Sequence, residues 1–194
     1  MIGVMSTAAR SRATYEDVLA APEHVVAEIV DGELELTPRP ALPHAAAASA
    51  LSDELGPPFK RGRGGPGGWL IVYEPELHLS DDIVVPDLAG WQRERLDKLP
   101  NAPFITVAPD WACEVLSPTT ARFDRTRKRP VYARSGVRWL WFVDAIARTL
   151  ETFELRDGQY TLLDSWGDDA RVRAVPFDAI ELDLSLLWSD VERE

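Results

Sequence analysis

The sequence predicts an α/β (α+β) chain: one mixed central sheet flanked by helices, with a β-hairpin near each end. Three observations predict it. Asp31-Gly32 and Asp157-Gly158 each sit between two apolar-containing runs. That is the pattern of a tight hairpin turn, whose two central residues take positive φ. The stretch Asp110–Val143 reads as strand, then helix, then strand, which makes a crossover between parallel strands, right-handed by default. Val137–Val143 is apolar on both faces, as in a covered central strand.

The elements follow in order. Residues 1–12 read as a disordered leader, and one domain is expected over 13–190. Thr14 caps a short helix over Tyr15–Ala20, with Asp17 completing an imperfect capping box. Val25–Val30 and Glu33–Thr37 form the first hairpin. Pro38, Pro40 and Pro43 break the chain, and the Ala-rich run Ala45–Leu55 is a helix. Arg61–Gly68 is a loop; it lacks the Gly-Lys-Ser/Thr ending of a phosphate-binding loop. Trp69–Leu79 and Ile83–Ala89 are strands around a turn at Ser80-Asp81-Asp82. Trp91–Phe104 is a polar connection and Asp110–Leu116 a short strand. Asp124–Ser135 is a helix ended by Gly136. Thr149–Leu155 and Gln159–Leu163 form the second hairpin. Ala170–Trp188 adds one short strand and a final helical turn.

The chain has 194 residues, 45% hydrophobic and 27% charged, which suits one globular domain. Seven Trp are expected in the core or at an interface. No apolar run reaches the ~20 residues of a membrane span. No apolar targeting segment opens the chain, so no membrane partner is expected. Cys113 is the one cysteine; a reduced, cytoplasmic compartment is the expectation. A net charge of −11 argues against loose nucleic-acid binding. It does not exclude a nucleic-acid enzyme, because a metal site built from carboxylates makes a chain acidic. Arg122, Arg125, Arg127, Lys128, Arg129, Arg134 and Arg138 face only Asp124 in their stretch. They are either a solvated helix face or a phosphate-binding surface.

The informative residues are acids inside apolar strands, where an ionised carboxylate is costly unless paired or bound to a cation. By strand alternation Asp87 shares a face with Ile83 and Val85, Glu114 with Ala112 and Leu116, and Glu28 with Val26 and Val30. Glu74 follows the apolar run Leu70–Tyr73. Each alone can be a strand-end acid that reaches water. Asp87 and Glu114 on neighbouring strands would repel each other unless a positive charge lies between them. Mg²⁺ or Mn²⁺ suits such oxygen donors. Cys113 points away from Glu114 and reads as a core thiol, and Trp139 and Trp141 read as core. Ser117 lacks the Gly-x-Ser-x-Gly setting of a serine hydrolase.

Pro86-Asp87, the string Glu114-Val115-Leu116-Ser117-Pro118, then Asp124, Lys128, Tyr132, Gly136-Val137 and Trp139–Asp144 resemble the Uma2 family (DUF820) of endonucleases. That family is similar to the PD-(D/E)xK nuclease superfamily. Glu28–Leu34 resembles its N-terminal hairpin, and His44 matches a histidine found just after it. The resemblance covers roughly residues 14–188. It implies a restriction-endonuclease-like fold and Mg²⁺- or Mn²⁺-dependent cleavage of DNA. Asp87 and Glu114 would bind the metal, with the Val115 carbonyl as a third ligand. Glu28 and Glu74 would complete the shell or act as base. The superfamily's lysine position holds Leu116 here, which points instead to Lys128 on the following helix, four residues before Tyr132 and on the same face. Pro130, inside that helix, bears on how Lys128 is aimed. Arg122, Arg125, Arg127 and Arg129 would hold the phosphate backbone. His44 would be a ligand, a base or a surface residue. Cutting two strands takes two sites, so a homodimer is the expected assembly. The rival readings are a non-catalytic nuclease-like binding module and an oligomeric scaffold joined through tryptophans and the C-terminal hairpin.

Overall fold

The computed structural model describes residues 12–192. The predicted leader lies outside them except for Arg12, whose guanidinium stands 3.3 Å from Asp81. Helix α1 (Tyr15–Leu19) begins at Thr14, whose backbone N–H donates to the Asp17 carboxylate at 2.8 Å. Strands β1 (Val25–Val30) and β2 (Glu33–Pro38) form the first hairpin, with φ of 56° at Asp31 and 81° at Gly32. Helix α2 (Leu42–Leu55) starts earlier than expected. Pro43 belongs to its first turn, where a missing N–H costs nothing, so this proline opens the helix rather than breaking the chain. A π-helical turn, Gly56–Lys60, extends α2.

The two strands expected over Trp69–Leu79 and Ile83–Ala89 are each split. They form β3 (Trp69–Tyr73), β4 (Leu77–Leu79), β5 (Asp82–Val84) and β6 (Leu88–Gln92). β3 pairs with β6 and β4 with β5, but the two halves of this hairpin join different sheets. Pro75 and Pro86 lie at the break, where neither can donate to a ladder. The backbone turns there: Glu74 takes φ of 43°, and its N–H donates to the Asp87 carbonyl at 2.9 Å. Asp87 therefore sits at a bend between sheets, not within a continuous strand on the face of Ile83 and Val85. Trp91, expected in a polar connection, is a fully buried residue of β6.

Strand β7 (Trp111–Leu116) leads into one helical run: α3 (Ala121–Phe123), a π turn over Asp124–Lys128, and α4 (Arg129–Arg134). Pro130 explains the π turn. In a regular helix its ring would crowd the carbonyl four residues back. The wider turn instead lets Arg129 N–H donate to the Asp124 carbonyl. Lys128 is thus helical, as expected, and buried. Strand β8 (Trp139–Asp144) lies parallel to β7. Strands β9 (Thr149–Arg156) and β10 (Gln159–Gly167) form the second hairpin, which continues past an irregularity between Leu162 and Asp164. The tail carries two short strands rather than one, β11 (Arg171–Val172) and β12 (Leu182–Asp183), before a 3-10 turn, Leu184–Trp188.

The central sheet has the order β10-β9-β8-β7-β6-β3, antiparallel except for β7 and β8. It is the mixed sheet the sequence predicts. The N-terminal hairpin belongs to a second sheet, β2-β1-β5-β4. One core gathers Leu51 and Leu55 of α2 with Trp111, Cys113, Trp141 and Trp188. The other gathers Val30, Leu77, Ala112, Tyr132, Leu140 and Phe142. Their opposite memberships bear out the strand alternation: Cys113 faces one core, and Ala112 and Leu116 the other.

Candidate active site

Three local features converge on one cavity of about 330 Å³. The bend of the β3–β6 hairpin brings Asp87 and Glu74. The C-terminal half of β7 brings Glu114 and Val115, and the π turn brings Asp124 and Lys128. Glu28 enters from β1 and His44 from the first turn of α2.

Five charged groups here are nearly out of water: Glu28 is 3% exposed, Asp87 8%, Glu114 2%, Asp124 4% and Lys128 3%. The Lys128 ammonium bridges two carboxylates, 3.0 Å from Glu28 Oε1 and 2.9 Å from Glu114 Oε1. It also donates to the Val85 carbonyl at 2.9 Å, and Asp124 stands 4.0 Å away. The Tyr132 hydroxyl donates to Glu114 Oε1 as well. Asp87 is held differently. Its Oδ2 accepts the Val115 N–H at 2.7 Å, and its Oδ1 lies 3.1 Å from His44 Nε2. Val115 is just beyond Cys113, the last β7 residue paired with β6. A strand residue directs its N–H and C=O to the same side, so the Val115 carbonyl shares this edge with Asp87.

Four buried carboxylates against one ammonium leave an excess of negative charge. Burial pushes the Glu114 carboxyl well above its usual range; Lys128 opposes this, and Asp124, Asp87 and Glu28 add to it. Burial likewise raises Asp124 to about 6, against the pull of Lys128 and a Thr120 hydrogen bond. Burial works against the Lys128 ammonium, but Glu114, Glu28 and Asp124 outweigh it and push the amine well above the usual lysine range. Tyr132 is raised by its burial and by Glu114. Among the described residues, no three His, Cys, Asp or Glu side chains stand close enough to hold an ion by themselves.

The structure brings Asp87, Glu114, Lys128, Glu28 and Glu74 to the walls of this cavity. It does not bring the four arginines there. Arg125 pairs with Glu151 and stacks on Phe142; Arg127 lies 3.0 Å from Glu33; Arg129 donates to the Tyr160 carbonyl at 3.0 Å. Arg122 is exposed and outside the lining. Residues two apart on a helix project to different sides, and each guanidinium finds its own local partner. Two contributors were less visible in the sequence. His44 is buried against Asp87, which a lone histidine does not announce. Asp124 belongs to the string that resembles the family and to the basic stretch as its one acid, but it carries no site role in the sequence reading, although its spacing of four from Lys128 is a helical pairing signal.

A model of the Uma2 family, described as "Putative restriction endonuclease", matches residues 13–186. The chain belongs to the Uma2 family. A solved relative is described as a "putative nuclease belonging to DUF820 from Anabaena variabilis ATCC 29413". It superposes with a TM-score of 0.72 at 24% identity, over 91% of this chain and 98% of that one. That likeness establishes the fold. No curated protein matches. Family and fold together make this a restriction-endonuclease-like chain of the nuclease type.

Proposed function

We propose that this Uma2 chain is a metal-dependent endonuclease that hydrolyses phosphodiester bonds in DNA. The observation that carries the reading is the buried charge imbalance: four carboxylates converge on one cavity, and a single ammonium cannot balance them. Such groups persist only if they bind protons or a cation. The donors are hard oxygens, which fits Mg²⁺ or Mn²⁺. Two carboxylates, Asp87 and Glu114, with the Val115 carbonyl and Glu74 at hand, suffice for an ion that takes its other ligands from water and substrate phosphate. Bound there, the ion would supply an acidified water and charge at the phosphate.

The chain's own groups have distinct roles in this proposal. His44 and the Val115 N–H fix the orientation of Asp87. Tyr132 and Lys128 hold one oxygen of Glu114, leaving Oε2 for the ion. Lys128 brings a protonated amine to the floor of the cavity, where it orients water or offsets charge on the phosphate. Glu28 serves better as the anchor of Lys128 than as a base, because its Oε1 already accepts from Lys128 and from Val85 N–H at 2.8 Å.

The test is cleavage of DNA circles, duplex and single-stranded, with Mg²⁺ or Mn²⁺. Wild type should cut, and Asp87→Ala should lose at least about a hundredfold in rate. Equal cutting by both would sink the assignment. That no three such side chains among the described residues stand close enough to hold an ion favours a second reading, a nuclease-like binding module without chemistry. Calorimetric titration separates the two: Mn²⁺ heat in wild type and none in Asp87→Ala supports the enzyme, and no heat in either supports the module.

A further inference from the structure

A second cavity of about 540 Å³ adjoins the first. The two share Val26, Arg39, Glu74 and Val85 in their walls, so one track runs past the bend of the hairpin. Arg39 stands at the junction. Its Nε and one terminal nitrogen donate to the Glu23 carbonyl at 3.3 and 3.1 Å. That partner is neutral, and no carboxylate among the described residues pairs with this guanidinium within ion-pair distance. The contact orients Arg39 while leaving its charge and its other N–H groups for a ligand.

We propose that the substrate is a single-stranded nucleic-acid segment, and that Arg39 clamps the phosphate next to the one cleaved. This rests on the nuclease reading for its substrate class. Asp87 and Glu114 are 8% and 2% exposed at the floor of a 330 Å³ recess. A narrow recess admits one extended strand more easily than a paired helix, and a strand already unpaired can turn a base into the side cavity without an unpairing cost. Two of the arginines of the helical run are neutralised by carboxylates, Arg125 by Glu151 and Arg127 by Glu33, and none of the four lines the cavity. The side cavity also carries Glu23, Glu74 and Glu76, the last with its Oε1 already 2.7 Å from His78 Nε2. These repel a second phosphate there, but they accept hydrogen bonds from the amino group of a base. Arg39 thus marks the phosphate position, and the cavity behind it takes a base. A single-stranded substrate also needs no second site on a paired protomer.

The test is fluorescence anisotropy with a fluorescein-labelled single strand and its blunt duplex. Ca²⁺ serves as the hard cation, and salt is varied. The single strand should bind at least about tenfold more tightly than the duplex. Arg39→Gln should weaken it about tenfold and flatten the log–log salt dependence by about 0.7. Arg39→Lys should keep the salt slope with part of the affinity. Lys98→Gln, at an exposed residue lining neither cavity, should match wild type. Equal binding of the duplex, no binding of either form, or an Arg39→Gln variant with wild-type affinity and slope overturns the proposal. Arg39-dependent binding of the single strand without any cleavage in Mg²⁺ or Mn²⁺ counts against the nuclease reading while the single-strand preference and the Arg39–phosphate contact stand.

Discussion

At the scale of single residues, the site stores free energy as frustrated charge. Asp124 shows the sign. Burial lifts its folded-state carboxyl from 3.8 to about 6. A raised carboxyl favours folding while protonated, so its contribution is fully present below pH about 4. It is lost as pH rises through about 6. A shift of about two units corresponds to about 3 kcal/mol. Asp124→Asn keeps the shape and removes the titration. It should be about 1–3 kcal/mol more stable than wild type at pH 7.5 and nearly equal at pH 4, allowing for the lost attraction to Lys128. Urea denaturation at the two pH values checks this; a variant less stable at pH 7.5 would mean that the Lys128 pairing dominates.

At the scale of elements, the site depends on two irregularities, the proline bend between β3–β6 and β4–β5 and the π turn before Pro130. All three prolines, Pro75, Pro86 and Pro130, stand in the sequence, but their consequences were not legible there. Strand alternation assumes an unbroken strand, and the β5–β6 break removed that premise for Asp87. For Glu114 the premise held, because β7 is regular over all six residues. The hairpins were legible to within a few residues, since Asp-Gly needs only local backbone geometry. The hairpin arm that delivers Asp87 is packed tightly at Gly90. A Cβ there would lie 3.1 Å from the Trp111 ring and 3.2 Å from the Trp69 ring. Gly90→Ala should cost about 1–3 kcal/mol by overpacking, read as a lowered midpoint in thermal unfolding. An unchanged midpoint would show that the tryptophans yield freely.

At the scale of the whole molecule, a net charge of −11 opposes association with a polyanion, and under the proposed function a bound cation would offset part of the acids of the cavity. Metal binding should therefore be visible as stability. Mn²⁺ at a hundred times its dissociation constant should add about 2.7 kcal/mol. Scanning calorimetry should show a higher midpoint for wild type and none of that gain for Asp87→Ala. Equal gains in both proteins would place the ion elsewhere. Cleavage should also weaken as salt rises, in proportion to the phosphates held. Among the described residues, no helix is long and apolar enough to cross a membrane.

The sequence by itself determined the mixed sheet, the two hairpins and the strand–helix–strand crossover, and singled out the acids placed in apolar strands. These depend on periodicity, turn chemistry and the cost of placing charge in apolar strands, all local properties. Tertiary structure alone decided that His44 meets Asp87 and that Lys128 lies between Glu28 and Glu114. It also decided that the arginines turn to separate partners, leaving Arg39 at the junction of two cavities. The reason is physical: spacing along a chain fixes which face a residue occupies, but only packing fixes which other face lies opposite.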